Sequence, residues 1–308
     1  MKYFVWVFND GKIGHEKQSL ALLDMLKKEI SLSIHFINIS ELKPRSILFS
    51  FIFGKRFWGK SLPRPNLLVG TGHRTHLAIL FAQKYYKSKS IIIMKPTLPS
   101  NFFSLCIIPQ HDMPPKRANI IISNGPLCSI ENSHFHDHRK GLFLIGGPSK
   151  HYQWSDKAII SQIEYIVMQK DNLNIDWEIS TSRRTPQSFL LGLLERKIPN
   201  LQITRFEKAE PGWLESKLKI SGQTWVSQDS ISMIQEAVQS GTNIGIIELS
   251  PKKSLYQSKR ESRILNYCNN FTNFSKWSQT NRLEQYSEEI IDKKELLKHV
   301  SLLLNNQI

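Results

Sequence analysis

Cysteine is scarce. Three occur in 308 residues, Cys106, Cys128 and Cys268, odd in number and far apart. That pattern excludes a disulfide framework and any Cys-x-x-Cys zinc or redox pair. Long apolar runs are lacking too. No stretch of about 18 uncharged apolar residues exists, so no transmembrane helix is expected. The opening segment MKYFVWVFND carries no small-residue cleavage site and reads as a first strand rather than a signal peptide. No Gly-Lys-Ser/Thr ending marks a phosphate P-loop, and no Gly-x-Ser-x-Gly elbow marks a serine hydrolase. A reduced, cytosolic protein is the expectation.

Acidic residues are scarce in one half only. The formal net charge is +15. Residues 1–125 hold 18 Lys+Arg against 6 Asp+Glu, whereas residues 126–308 hold 23 against 20. The first half is therefore expected to face something anionic. Its densest stretch is residues 43–65, KPRSILFSFIFGKRFWGKSLPRP, with six basic residues, no acid and five large aromatics. Rings among cations suit an anionic membrane surface. They also suit single-stranded nucleic acid, or a buried hairpin with charges at its edge. Nucleic acid is the least favoured, because charge alone supports it.

The chain alternates short β-rich runs with amphipathic helical runs, which implies βαβ units and parallel sheets. One series ends near residue 125, and a second begins at residue 141. Residues 126–140 are polar and unperiodic and read as a linker. The expected division is residues 1–125, the linker, residues 141–290 and a last helix in 291–308. The fold class is α/β, with two doubly wound Rossmann-like domains facing a cleft. Ligands in such sheets bind at the carboxyl ends of strands, so the loops there carry the chemistry.

Five loops qualify. In Asn9–Glu16, Asp10, His15 and Glu16 lie beside two glycines, and one of the three can serve as a general base. A plain strand-to-helix turn is the competing reading. Val69–His76 has two glycines before a helix, which suits an anion or merely tight packing. In Gly146–His151, Gly147, Ser149 and Lys150 offer an N–H, a hydroxyl and a point charge to phosphate oxygens. Arg183 and Arg184 precede Thr185-Pro186, a capped helix start, and form a second anion site. Last, Asp229 or Ser230 can cap a helix on which Glu236 stands seven residues after Asp229, at ribose-binding depth. The run His134, His136, His138 has metal-ligand spacing but no second ligand cluster, so no metal is expected.

These loops carry a resemblance. The motifs DGKIGHEKQSL, VGTGHRTHL, PQHD, LIGGPSKHYQW, STSRRTP and DSISMIQEA resemble, in order from residue 10 to residue 237, the mitochondrial-fission-type glycosyltransferases of bacteria and plants. The resemblance implies a GT-B architecture, with a nucleotide-sugar donor in the C-terminal domain, the acceptor on the N-terminal one, and no metal or other cofactor. A fainter likeness links Gly14-His15 and Glu236-Ala237 to the enzyme that adds N-acetylglucosamine to a peptidoglycan lipid, although the other glycines of its first loop are missing here.

The reading that results is a transferase. It moves sugar from a nucleotide diphosphate donor to a lipid-linked or cell-envelope glycan at the cytoplasmic membrane face. Gly147, Ser149, Lys150, Arg183, Arg184, Asp229, Ser230 and Glu236 hold the donor. One of Asp10, His15 and Glu16 is the base, and residues 43–65 dock on anionic lipid. The alternative is a peripheral membrane adaptor that kept the fold and lost the chemistry.

Overall fold

The computed structural model describes residues 2–39, 62–130, 132–133, 135–252, 267–286 and 290–305. Most of the basic stretch 43–65 lies outside the described residues. Contacts divide the chain into two units, Met1–Ser129 with Glu289–Ile308 and Ile130–Glu288.

The first unit is a six-stranded parallel sheet. Its strands are β1 (Tyr3–Asn9), β2 (Leu32–Asn38), β3 (Leu67–Thr71), β4 (Lys89–Ile93), β5 (Leu105–Pro109) and β6 (Ile120–Ser123), in the order β2-β1-β3-β4-β5-β6. Its helices are α1 (Ile13–Lys27) and α2 (His76–Tyr86). A strand covered on both faces is apolar on both, and β1 shows it. Val5 and Val7 point into one cluster with Leu22, Leu23 and Leu26 of α1. Trp6 and Phe8 point into another with Ile79 and Ala82 of α2.

The second unit holds β7 (Asp137–Leu144), β8 (Asp176–Ser180), β9 (Leu201–Thr204), β10 (Ser221–Ser227), β11 (Asn243–Ile247), β12 (Thr272–Asn273) and β13 (Glu284–Gln285). The parallel path is β12-β11-β10-β7-β8-β9, and β13 pairs antiparallel with β11. Its helices are α3 (Asp156–Val167), α4 (Gln187–Glu195), α5 (Trp213–Ile220), α6 (Ile231–Ser240) and α7 (Phe274–Thr280). Ser155 caps α3 through Ala158 N at 3.3 Å, as its sequence position predicts. Gly241 ends α6 in the left-handed region, at φ +81°.

Three expectations need correction. The polar stretch 126–140 is not all linker, because β7 opens at Asp137 inside it. The final helix, α8 (Lys293–Asn305), is not a separate appendage. Its Leu296, Val300 and Leu304, at i, i+4 and i+8, are buried against β1 and α1 in the first unit. Thr185 is not the cap of α4, whose first residue is Gln187 and whose cap position is Pro186. Thr185 Oγ1 instead accepts from Ser182 N at 2.8 Å and donates to Ile145 O at 3.0 Å. The helices α5 and α7 carry no strong sequence signal and were not expected.

Two glycines in the second sheet lie beneath tryptophan rings. A Cβ on Gly141 would stand 2.3 Å from Trp177 Cε3, and one on Gly245 2.4 Å from Trp225 Cε3. Both indoles are buried. Gly141→Ala must therefore push a buried ring out of place, at about 1–3 kcal/mol. The expected outcome is a melting temperature lowered by roughly 2–10 °C, read by differential scanning calorimetry. An unchanged melting temperature would show that the ring has room to move.

Candidate functional site

Both sheets reverse their strand order once. In the second unit the reversal falls between β7 and β10, the place at which sheets of this kind bind ligands beyond the carboxyl ends of their strands. Three segments converge at it. The loop after β7 brings Gly146 and Gly147, the loop after β8 brings Ser182 to Thr185, and β10 ends in Ser227 and Asp229 just before α6.

Asp229 holds them together. Its side chain is fully buried and accepts three hydrogen bonds. Gly147 N donates at 3.0 Å, Ser227 Oγ at 2.8 Å and Arg184 Nη2 at 2.7 Å. Arg184 Nη1 also donates to Gly147 O at 3.0 Å and Pro148 O at 3.2 Å. Gly146 N donates to Ser227 Oγ at 2.7 Å, and Ser182 Oγ to Gly146 O at 2.8 Å. The segments are pressed so close that only glycine fits. A Cβ at 146 would stand 2.2 Å from Asp229 Oδ2, and one at 147 would stand 2.2 Å from Arg184 O.

This differs from the sequence expectation in an instructive way. The N–H groups of Gly146 and Gly147 are spent inside the protein and are not offered to phosphate. Asp229 caps nothing, and it stands before Ser230 and outside α6, so its seven-residue spacing to Glu236 is not helical spacing. Ser230 occupies the cap position without a side-chain cap bond. Among the described residues no side chain is seen to cap α6, whose first N–H groups stand just after the end of β10. Arg184, 44% exposed, is held beside this helix end by Asp229. An uncapped helix N-terminus with a fixed guanidinium next to it suits an anion.

The other named residues spread around this centre. Ser149 is half-buried, and its Oγ accepts from His151 N at 3.3 Å and Tyr152 N at 3.2 Å. Lys150 is exposed, and Glu236 is half-buried on α6. Arg183 turns away from Arg184, with its guanidinium 5.0 Å from the centre of the Phe206 ring. The sequence reading missed Ser182, Thr185 and Ser227, which carry much of the loop bonding. Small hydroxyl residues give no periodic signal.

The first unit reverses between β1 and β3. Here Asp10, with no exposed side-chain surface, faces His15 in the first turn of α1. His15 Nδ1 lies 3.0 Å from Asp10 Oδ2 and 3.1 Å from Oδ1. A carboxylate only accepts, so Nδ1 carries the proton and Nε2 is the basic nitrogen of the neutral ring. The ring lies flat on Gly72, where a Cβ would stand 2.3 Å from Cε1. Gly72 has φ +84°, a conformation that glycine adopts without strain. Ser19 Oγ and Thr71 Oγ1, 2.8 Å apart, tie α1 to the end of β3 beneath it. Glu16 is half-buried and is not part of this pair.

Farther along the same loop His76 is buried, with Nδ1 3.2 Å from Thr97 Oγ1. Among the described residues its Nε2 has no partner. Burial, with the nearby His73 adding to it, lowers its pKa to about 4. Burial also pushes the thiols of Cys106 and Cys268 up to about 12, so both are inert at neutral pH. Of the histidine run, His134 lies outside the described residues. Among the described residues no group of three or more His, Cys, Asp or Glu comes together as a metal site. No helix among them is long and apolar enough to cross a membrane.

Comparison with known proteins agrees with the fold. The family described as mitochondrial fission ELM1 matches residues 13–294, and the chain belongs to that family. The protein RP120 of Rickettsia prowazekii is 26% identical over an alignment of 231 positions that covers 59% of this chain. The chain spans 65% of that relative's length. Solved structures share the two-unit GT-B fold at low identity. The UDP-GlcNAc 2-epimerase of Methanocaldococcus jannaschii has TM-score 0.51 and 14% identity, over 99% of this chain and 93% of that one. MurG of Acinetobacter baumannii has TM-score 0.50 and 12% identity, over 99% and 92%.

The His76 shift makes stability depend on pH. An unfolded histidine takes a proton near pH 6.5, whereas this one resists until about pH 4. The unfolded chain therefore binds more protons in that window, and stability falls as pH drops from 6.5 towards 4. The full loss is about 3 kcal/mol. His76→Gln is expected to flatten the melting temperature against pH between 7 and 4 relative to the unmodified chain. Parallel curves would place the pH sensitivity elsewhere.

Proposed function

We propose that this member of the mitochondrial fission ELM1 family is a glycosyltransferase that uses a nucleotide diphosphate sugar. The observation that carries the reading is the uncapped start of α6 beside Arg184, at the strand reversal of the second unit. Helix N–H groups and a fixed cation hold a diphosphate, and Lys150 and the Ser149 hydroxyl stand on the flanking loop. Glu236, farther along α6, accepts bonds from the ribose hydroxyls. Arg183 belongs to the rim of the site at most, since its guanidinium is engaged on Phe206. The fold shared with a UDP-GlcNAc 2-epimerase and with MurG supports a nucleotide-sugar ligand.

His15 is the base in this reading, chosen over Glu16 because Asp10 holds its tautomer. His15 Nε2 takes the proton of the acceptor hydroxyl. The hydroxyl oxygen bonds to the anomeric carbon, and the bond from that carbon to the diphosphate oxygen breaks. The leaving diphosphate keeps the electron pair, and its charge is met by Arg184, Lys150 and the helix end. No metal is required for this step. The acceptor is a lipid-linked or envelope glycan, and residues 43–65 hold the protein on anionic lipid at the cytoplasmic face.

Two measurements test the reading. Thermal shift with UDP, GDP, ADP and their sugar conjugates is expected to show stabilisation by one nucleotide class. At a hundredfold excess over Kd the gain is about 2.7 kcal/mol, and it should vanish in Arg184→Ala and weaken in Glu236→Ala. No shift with any nucleotide at millimolar concentration would sink the transferase reading and leave the adaptor, to be judged by sedimentation with anionic liposomes. For the base, Asp10→Asn is expected to lower kcat about 10²–10⁴-fold while the nucleotide shift persists. Undiminished turnover in that variant would remove His15 and Asp10 from the mechanism.

A further inference from the structure

The second unit has a cavity at the end of its sheet opposite the carboxyl ends of its strands. It has a volume of about 170 Å³ and sits where β7, β10 and β11 begin, at His138, Gln223 and Asn243. Eight residues of β7 lie between the two ends, so the cavity is roughly 25 Å from the Gly146–Asp229 centre. Nothing in the proposed transfer uses it.

Its walls have an unusual composition. Five carboxamides line it, from Gln169, Asn172, Gln223, Asn243 and Asn281, with the single carboxylate of Asp171. They come from four separate segments of chain. No Lys or Arg is among the lining residues. The inner amides are held in fixed orientations. Trp225 Nε1 donates to Gln223 Oε1 at 3.2 Å, Gln223 Nε2 to Asn172 Oδ1 at 3.2 Å, and Asn172 Nδ2 to Ile166 O at 2.8 Å. Gln169 Nε2 donates to Tyr165 O at 3.2 Å. Each of these amides keeps further bonding capacity, since a carboxamide has two donor hydrogens and two acceptor lone pairs. Among the described residues the side chains of Asn243 and Asn281 make no hydrogen bond. The rest of the lining is His138, Gly222 and an apolar part, Leu283 and the indole of Trp277, which is fixed edge-on to Trp225 at 5.0 Å.

The geometry points to a second ligand site, for one neutral sugar ring. Carboxamides that both donate and accept match vicinal hydroxyls, each of which also donates and accepts. The indole and Leu283 match the C–H face of the ring. With no Lys or Arg to draw them and the Asp171 carboxylate to repel them, phosphates, nucleotides and acidic sugars do not fit, so this is not a displaced donor site. The volume admits one hexose, not a chain, which makes the occupant either a free monosaccharide or the terminal unit of a glycan.

The test titrates the full-length protein with glucose, galactose and N-acetylglucosamine, and separately with N,N′-diacetylchitobiose. Binding is followed by tryptophan fluorescence and saturation-transfer NMR. The expected result is saturable millimolar binding of at least one of these, weakened about tenfold or more in Asn243→Ala and in Asp171→Ala. Asp171 is exposed, so its variant keeps the fold. The affinity should be unchanged in Arg184→Ala and in the presence of UDP. Tighter binding of the disaccharide than of its monomer would identify a glycan end as the occupant, and equal binding a free sugar. The inference is overturned if nothing saturates up to about 50 mM, if both variants bind normally, or if Arg184→Ala abolishes binding. These outcomes do not depend on whether nucleotide binds at the α6 end.

Discussion

A buried carboxylate at position 229 is the constraint on which the candidate site of the second unit depends. The loops after β7, β8 and β10 leave the carboxyl ends of the sheet, and nothing in a parallel sheet itself holds such loops together. Burying a lone carboxylate is costly unless its lone pairs are met. Here a backbone N–H, a hydroxyl and a guanidinium meet them. The same bonds fix Gly147, Ser227 and Arg184 relative to one another. Gly146 and Gly147 let the segments close to a distance that no side chain would permit. Asp229 and the two glycines thus form one device. Because Asp229 is spent on this device, it does not cap α6, and among the described residues no other side chain is seen to.

The first unit uses a buried carboxylate in the same kind of place, with a different partner. Asp10 follows β1 as Asp229 follows β10, and both side chains are closed to solvent. Asp229 is paired with a guanidinium, whose rigid fork also reaches the carbonyls of Gly147 and Pro148. Asp10 is paired with an imidazole instead, and its carboxylate fixes the tautomer of that ring. Gly72 beneath the imidazole plays the part that Gly146 plays beneath Asp229. The two units thus place a buried carboxylate at the same point of a parallel sheet and differ in the cationic or imidazole partner it meets.

Much of this was readable from sequence, and the rest was hidden for identifiable reasons. Strands flanked by glycines and amphipathic helices such as α3 announce themselves by period and cap. The pairing of Asp10 with His15 was within reach, since five residues across a strand-to-helix turn bring both to the same place. The role of Asp229 was not. Its position next to a helix start reads as a cap, and only the nearness of Gly147 N and Arg184, 82 and 45 residues away, redirects it. Thr185 was misread for the same reason, since carbonyls 39 and 40 residues distant compete for its hydroxyl. The amide-lined cavity gives no linear signal, because its walls come from the starts of strands and the ends of helices spread over more than a hundred residues.

The return of the chain to its starting unit bears on the chemistry as well as on the fold. Leu296, Val300 and Leu304 of α8 are almost fully buried against the face of the sheet that also receives Val5 and Val7. Burying three such side chains contributes roughly 5–8 kcal/mol. A whole domain is stable by only about 5–15 kcal/mol, so the first unit without its last helix would stand near the edge of stability. β1, whose inward valines share a buried cluster with that helix, leads directly into Asp10. The loop that holds His15 is therefore anchored by residues nearly three hundred positions away. A segment beginning at residue 1 and ending at 129 contains every candidate acid and base of the first unit, yet lacks the helix that keeps them in place.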